Sequence, residues 1–192
     1  RLKQGLHDTA EIIRARKRLE DVYAAGPPTL PSIGHTTQQW REYLRGFFGL
    51  IQELSREGLL LAYHDRSDGG LAATVVEMAF AGGTGIELDV EGLGDDSFGA
   101  LFNEELGAVV QIRSQDLARV RACADRHGIG AMVHELGGLR ADGRIVLRAG
   151  KTSLVDESRF DLRDAWSETT RRMQALRDDK ACAEEEHAAR LD

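Results

Sequence analysis

Tyr63-His64-Asp65-Arg66-Ser67-Asp68-Gly69-Gly70-Leu71 is the stretch whose reading decides the fold. Before it, residues 59–63 form a short apolar run that reads as a buried strand. After it, residues 71–81 are apolar nearly all round, so they read as a buried helix, stopped by Gly82-Gly83. A helix N-terminus presents unpaired backbone N–H groups and partial positive charge, which attract phosphate. Glycines let a backbone approach a ligand closely. Asp65, at the strand end, offers the hard oxygen that Mg²⁺ prefers, and phosphates can share that metal. Ser67 can add a hydroxyl or backbone contact. A plain tight turn fits the same residues, with Asp68 capping the helix. It is not a Walker loop, because no Gly-Lys-Ser/Thr follows.

Working outward, residues 9–24 read as a helix capped by Asp8 or Thr9. Gly26-Pro27-Pro28 ends it, and a linker holding all three prolines runs to Thr37. A helix over 38–56 follows from Trp40, Leu44, Phe47, Phe48, Ile51 and Leu54, with Gly58 as its left-handed cap. Downstream, 85–90 and 106–112 read as strands, and Ser114 opens a helix over 115–127 that Gly128 closes. Two more strands, 131–136 and 144–148, form a hairpin around Asp142-Gly143. Residues 157–177 read as a helix, and the charged tail from Ala181 as a surface helix or linker. The alternation over 59–148 predicts an α/β domain of the α+β kind, a mixed sheet packed with helices, with helical attachments at both ends. The expected divisions are a connector over 1–37, the α/β domain over 38–155 and a linker over 156–192.

Composition excludes several classes. The 192 residues are 42% hydrophobic and 30% charged, a globular mix. A net charge of -7 argues against nucleic acid as a partner. No apolar run approaches the roughly 20 residues of a membrane span, and no signal peptide is visible. Cys123 and Cys182 lie far apart, which suits reduced thiols in the cytoplasm better than zinc or a disulfide. A start at Arg1 is what a fragment would show.

The run 60–71 closely resembles the second of two related C-type domains in the large, single-chain phosphoribosylformylglycinamidine synthases. Glu77-Met78-Ala79-Phe80-Ala81-Gly82, Leu101-Phe102-Asn103-Glu104-Glu105-Leu106-Gly107-Ala108-Val109, Trp166-Ser167-Glu168-Thr169-Thr170 and Met173-Gln174-Ala175-Leu176-Arg177-Asp178 resemble that region in the same order. Residues 1–37 resemble nothing that can be placed. The resemblance implies an AIR-synthase C-terminal-domain-like fold within an ATP-dependent amidoligase of purine biosynthesis. That enzyme converts formylglycinamide ribonucleotide, with glutamine supplying ammonia. It also implies that Asp65 corresponds to a Mg²⁺ ligand and Ser67 to a contact of an auxiliary ATP or ADP. The other metal ligands would come from an N-type domain and the ammonia from a glutaminase domain, so the chain alone is expected to be inactive and to carry no catalytic residue. A non-catalytic nucleotide-holding scaffold is the other reading. Selenophosphate synthetase, thiamine-monophosphate kinase and aminoimidazole ribonucleotide synthetase are related alternatives, against which the 102–105 and 166–170 stretches argue.

Other residues read more plainly. His64 is expected to orient Asp65 by a hydrogen bond. Arg66 suits a solvated or ion-paired role as well as a phosphate contact. Glu104 and Glu105 are adjacent on an extended chain and point apart, so they read as a turn and not as an acid/base pair. Cys123 reads as a packing thiol. Trp166 and Met173 read as a packing stripe. His7, His35, His127, His134 and His187 show no ligand spacing.

Overall fold

The computed structural model describes residues 37–191. The helix expected at 9–24 and most of the proline-rich linker lie outside them, as do His7 and His35. The chain divides into two units, Arg1–Arg45 and Gly46–Asp192, and the architecture below is that of the second, with the whole of the helix that crosses the boundary.

Helix α1, Thr37–Arg56, matches its expected span, and Gly58 stands left-handed just beyond it. Leu50 and Leu54 are its buried contacts, whereas Phe48, expected on the inner stripe, is exposed. Strand β1, Ala62–Asp65, leads through the glycine turn into α2, Gly70–Gly82. Then come β2, Gly85–Asp89; α3, Ser97–Phe102; β3, Ala108–Gln111; and α4, Leu117–Arg126. Strands β4, Gly137–Arg140, β5, Arg144–Ala149, and β6, Thr152–Ser158, precede α5, Arg159–Arg177, and α6, Lys180–Leu191.

The main sheet is mixed, with order β4-β2-β5-β6. β2 runs parallel to β5, pairing Ile86 with Ile145, and antiparallel to β4, pairing Ile86 with Leu139. Leu71, Val75 and Ala79 of α2 pack against Ile86, Leu88, Ile145 and Leu147 of the sheet, with Val90 and Leu101 closing the core. Ile145 and Leu147 sit two apart and so share a sheet face. Each such aliphatic side chain contributes about 1.5–3 kcal/mol by leaving water.

β1 and β3 do not join this sheet. They form a separate antiparallel ribbon, Ala62 opposite Gln111 and Asp65 opposite Ala108. The buried strand expected at 59–63 is therefore half-solvated: Leu59 is buried, but Leu61 and Tyr63 are exposed, because a two-stranded ribbon leaves a face uncovered. The hairpin expected around Asp142-Gly143 is absent too, because β2 lies between β4 and β5 and takes both as partners. The hairpin is instead β5–β6, turned by Gly150-Lys151.

Residues 131–136, expected as a strand, hold the end of a short 3-10 turn and irregular chain. Pairing begins at Gly137, where an added Cβ would lie 2.0 Å from the Glu87 carbonyl oxygen, so apolar character upstream could not substitute for glycine there. Ser114 opens a 3-10 turn and gives no side-chain cap; the α-helix starts at Leu117. Glu157 and Ser158, expected in the last long helix, pair with Ile145 and Arg144 in β6. The helix begins only at Arg159, where Ser158 Oγ accepts the Phe160 N–H at 3.2 Å.

Candidate functional site

The candidate site is the turn between β1 and α2. The Gly70 N–H donates to the Ser67 carbonyl at 2.8 Å, folding the chain back on itself. Gly70 takes φ 65°, and a Cβ there would lie 2.7 Å from the Leu101 carbonyl oxygen. Only a residue without Cβ lets the start of α2 meet the end of α3 so closely.

Asp65 lies at the end of β1, as expected, with its side chain 67% exposed. Ser67 and Asp68 are exposed beside it. Asp68 does not cap α2: Gly69 is the N-cap residue, and no side chain of its own caps the helix. The Gly69 N–H is satisfied from another element, by Glu104 Oε1 at 3.0 Å. An amide facing the expected phosphate position thus already holds a carboxylate.

His64 does orient its neighbour, but through the backbone. Its Nδ1 bonds the Asp65 carbonyl oxygen at 2.7 Å, while the Asp65 carboxylate is 3.8 Å away. Its Nε2 bonds Glu77 Oε2 at 3.1 Å. The Thr74 hydroxyl donates to the Asp65 carbonyl at 3.3 Å and to Gly70 O at 2.9 Å. Arg66 is half-buried and tied to the backbone. Its Nε donates to the Asn103 carbonyl at 2.6 Å, and burial pulls its pKa down more than the Glu105 charge raises it. Glu104 and Glu105 lie in the turn before β3, the Glu105 N–H being held by Asn103 Oδ1 at 3.0 Å.

Asp65 fits a Mg²⁺ ion only in part. It is a hard, water-accessible carboxylate beside a hydroxyl, which suits the ion. Among the described residues it belongs to no group of three potential metal ligands. The group that exists, Glu53, Glu57 and Cys123, lies elsewhere and is already neutralised. Arg126 donates to both Glu53 and the Cys123 sulfur, His127 Nε2 bonds Glu53 Oε2 at 2.7 Å, and Arg119 pairs with Glu57 at 2.8 Å. Cys123 is buried and its thiol is pushed up mainly by that burial, in keeping with a packing role. An open cavity of about 340 Å³ is lined by Asp89, Arg121, His134 and Leu136 among others, and does not include the turn.

Trp166 and Met173 do not form a packing stripe; both are largely exposed. Trp166 instead rests edge-on against Phe80, with centroids 6.1 Å apart, and its indole N–H donates to Glu77 Oε1 at 3.2 Å. Sequence reading missed Glu77 and Glu104 as neighbours of the turn. Glu77 had a signal: with Thr74 it makes a polar pair three apart on an otherwise apolar helix. Glu104 had none, since its partner is 35 residues away.

The family model described as AIR synthase related protein, C-terminal domain, matches residues 29–150, more than half of the chain. Phosphoribosylformylglycinamidine synthase II from Thermotoga maritima is similar in fold, with a TM-score of 0.53 and 16% identity over 59% of this chain and 20% of that one. T. maritima PurL complexed with FGAR gives a TM-score of 0.53 and 16% identity over 61% and 20%. The structure of PurLQS from the same organism gives 0.53 and 16% over 59% and 20%. The chain spans about a fifth of the length of these solved chains. On the match over 29–150, the chain belongs to the family of AIR synthase related proteins, by their C-terminal domain.

Proposed function

We propose that the chain is part of a phosphoribosylformylglycinamidine synthase and supplies one side of a Mg-nucleotide site at the β1–α2 turn. The observation that carries this reading is the pairing of an exposed Asp65 carboxylate with an exposed Ser67 at the mouth of a glycine turn that opens a helix. The solved neighbours include T. maritima PurL complexed with ATP and with ADP, which supports nucleotide as the ligand class. Bound Mg²⁺ would neutralise phosphate charge. The chain's own part is to present the Asp65 oxygen to the ion, the Ser67 hydroxyl to the nucleotide and the turn amides to phosphate. An N-type domain would complete the ligand set, and a glutaminase domain would supply ammonia for the ATP-dependent amidation of formylglycinamide ribonucleotide. The same reading has the chain work in the cytoplasm, with its thiols reduced.

Calorimetry with Mg-ADP tests the reading. Binding should be detectable, should tighten when an N-type half is supplied in trans, and should weaken about tenfold in D65N, the scale of one lost charged contact. No heat even with both halves present would sink the nucleotide role. Glutamine-dependent synthesis by this chain alone would overturn the view that it is inactive by itself. The contact of Glu104 with the Gly69 N–H favours one second reading, a scaffold whose turn is filled by its own carboxylate; binding equal in the parent chain and D65N would point there.

A further inference from the structure

The Asp65–Arg66 peptide plane is held from both sides. The Arg66 N–H donates to the Gly107 carbonyl at 2.9 Å, while the Asp65 carbonyl takes up His64 Nδ1 at 2.7 Å and the Thr74 hydroxyl at 3.3 Å. The His64 ring would be free to turn about its χ angles without a second anchor. Glu77 is that anchor, at 3.1 Å from Nε2, and its other oxygen is occupied by the Trp166 indole N–H at 3.2 Å. Three hydrogen bonds thus run from α5, through α2, to the backbone of the residue whose carboxylate faces solvent. Trp166 is 63% exposed, so water could have satisfied its N–H; the bond to a carboxylate instead is charge-assisted.

We infer that Glu77 and Trp166 are positioning residues for the β1–α2 turn, fixing the Asp65 backbone through His64 and so the direction in which its carboxylate points. The consequence for ligand affinity rests on the nucleotide reading of Asp65; the consequence for turn order does not.

Amide hydrogen exchange on the whole 192-residue chain, followed in peptides covering the turn and in peptides covering β5, tests this. E77A should speed exchange of the turn amides about tenfold and leave β5 unchanged. E77Q should restore near-parent protection, because its amide oxygen still accepts from Trp166 and its NH₂ can donate to a His64 ring carrying the Nδ1 proton. A residue serving only as a charge would not be rescued this way. W166F should give a smaller acceleration at the turn, and it decides the matter should E77A loosen the whole domain. Turn exchange unchanged in both E77A and W166F, or E77Q as loose as E77A, overturns the positioning role. Mg-ADP calorimetry on the same proteins is the second arm, with affinity expected to fall about tenfold in E77A and to recover in E77Q. A looser turn with unaltered Mg-ADP affinity overturns the link to the ligand. If the parent chain binds no Mg-ADP even with an N-type half supplied while E77A still loosens the turn, the nucleotide reading fails and the positioning role stands.

Discussion

Glu53 accepts from Arg126 and His127 and takes a long contact from the Cys123 thiol, and these donors hold its carboxyl at about 2, the Arg126 bond most strongly and the His127 bond next. A group whose folded pKa lies below its unfolded one binds fewer protons when folded. Its stabilisation is therefore complete above the ordinary carboxylate range and is lost as pH falls from about 4.5 toward 2. The melting midpoint of E53Q should sit below that of the parent at neutral pH, and the gap should close through that window. A gap constant from pH 6 to pH 2 would contradict this. Asp142, held near 2 chiefly by Arg140, titrates over the same range, so only the difference between the two proteins isolates Glu53. Little of this was legible in the sequence, because Glu53 and Arg126 are 73 residues apart. The packing place of Cys123 was legible, since its neighbours Arg121 and Arg126 gave no strong sign of an activated thiol, and it is buried.

The glycine turn is where sequence and structure agree most closely at the level of elements. Strand, turn and helix follow in the expected order, because each signal there is local: an apolar run, two glycines, then a long apolar stretch. G70A should be costly, since alanine disfavours φ 65° and its Cβ would meet the α3 backbone at 2.7 Å. A loss of about 1–3 kcal/mol in urea unfolding is expected; an unchanged midpoint would show that α3 yields freely. The misread elements depend on their partners. β4 needs a backbone approach to β2, far off in sequence, and β6 exists because β5, just before it, offers an open edge. α3 is only six residues long, so its Asp96 cap, accepting the Phe98 N–H at 3.1 Å, was its one local mark.

At the scale of the molecule, stretches that carry the family resemblance meet around one turn although the sequence scatters them. Glu77 holds His64, Asn103 and Glu104 hold Arg66 and Gly69, and Trp166 holds Glu77. The motif at 60–71 announced the turn, but not that α3 and α5 would brace it. Beneath it, the core between α2 and the sheet rests on the inner strands β2 and β5. L147A, at a side chain 1% exposed between α2 and the sheet, should cost about 2–5 kcal/mol by denaturant unfolding. A cost below 1 kcal/mol would mean that the core collapses into the space.

The sheet order also sets a schedule for folding. β5 and β6 are joined by a tight turn and can zip together at once, whereas β2, though central, finds its partners only when residue 86 meets residues 139 and 145. Loop-closure entropy must be met before any of those bonds forms. On the ribosome, α2 and β2 emerge with both flanks of the sheet still unmade. Their apolar faces stay open until β5 arrives, so this is the interval in which the chain is most exposed to aggregation.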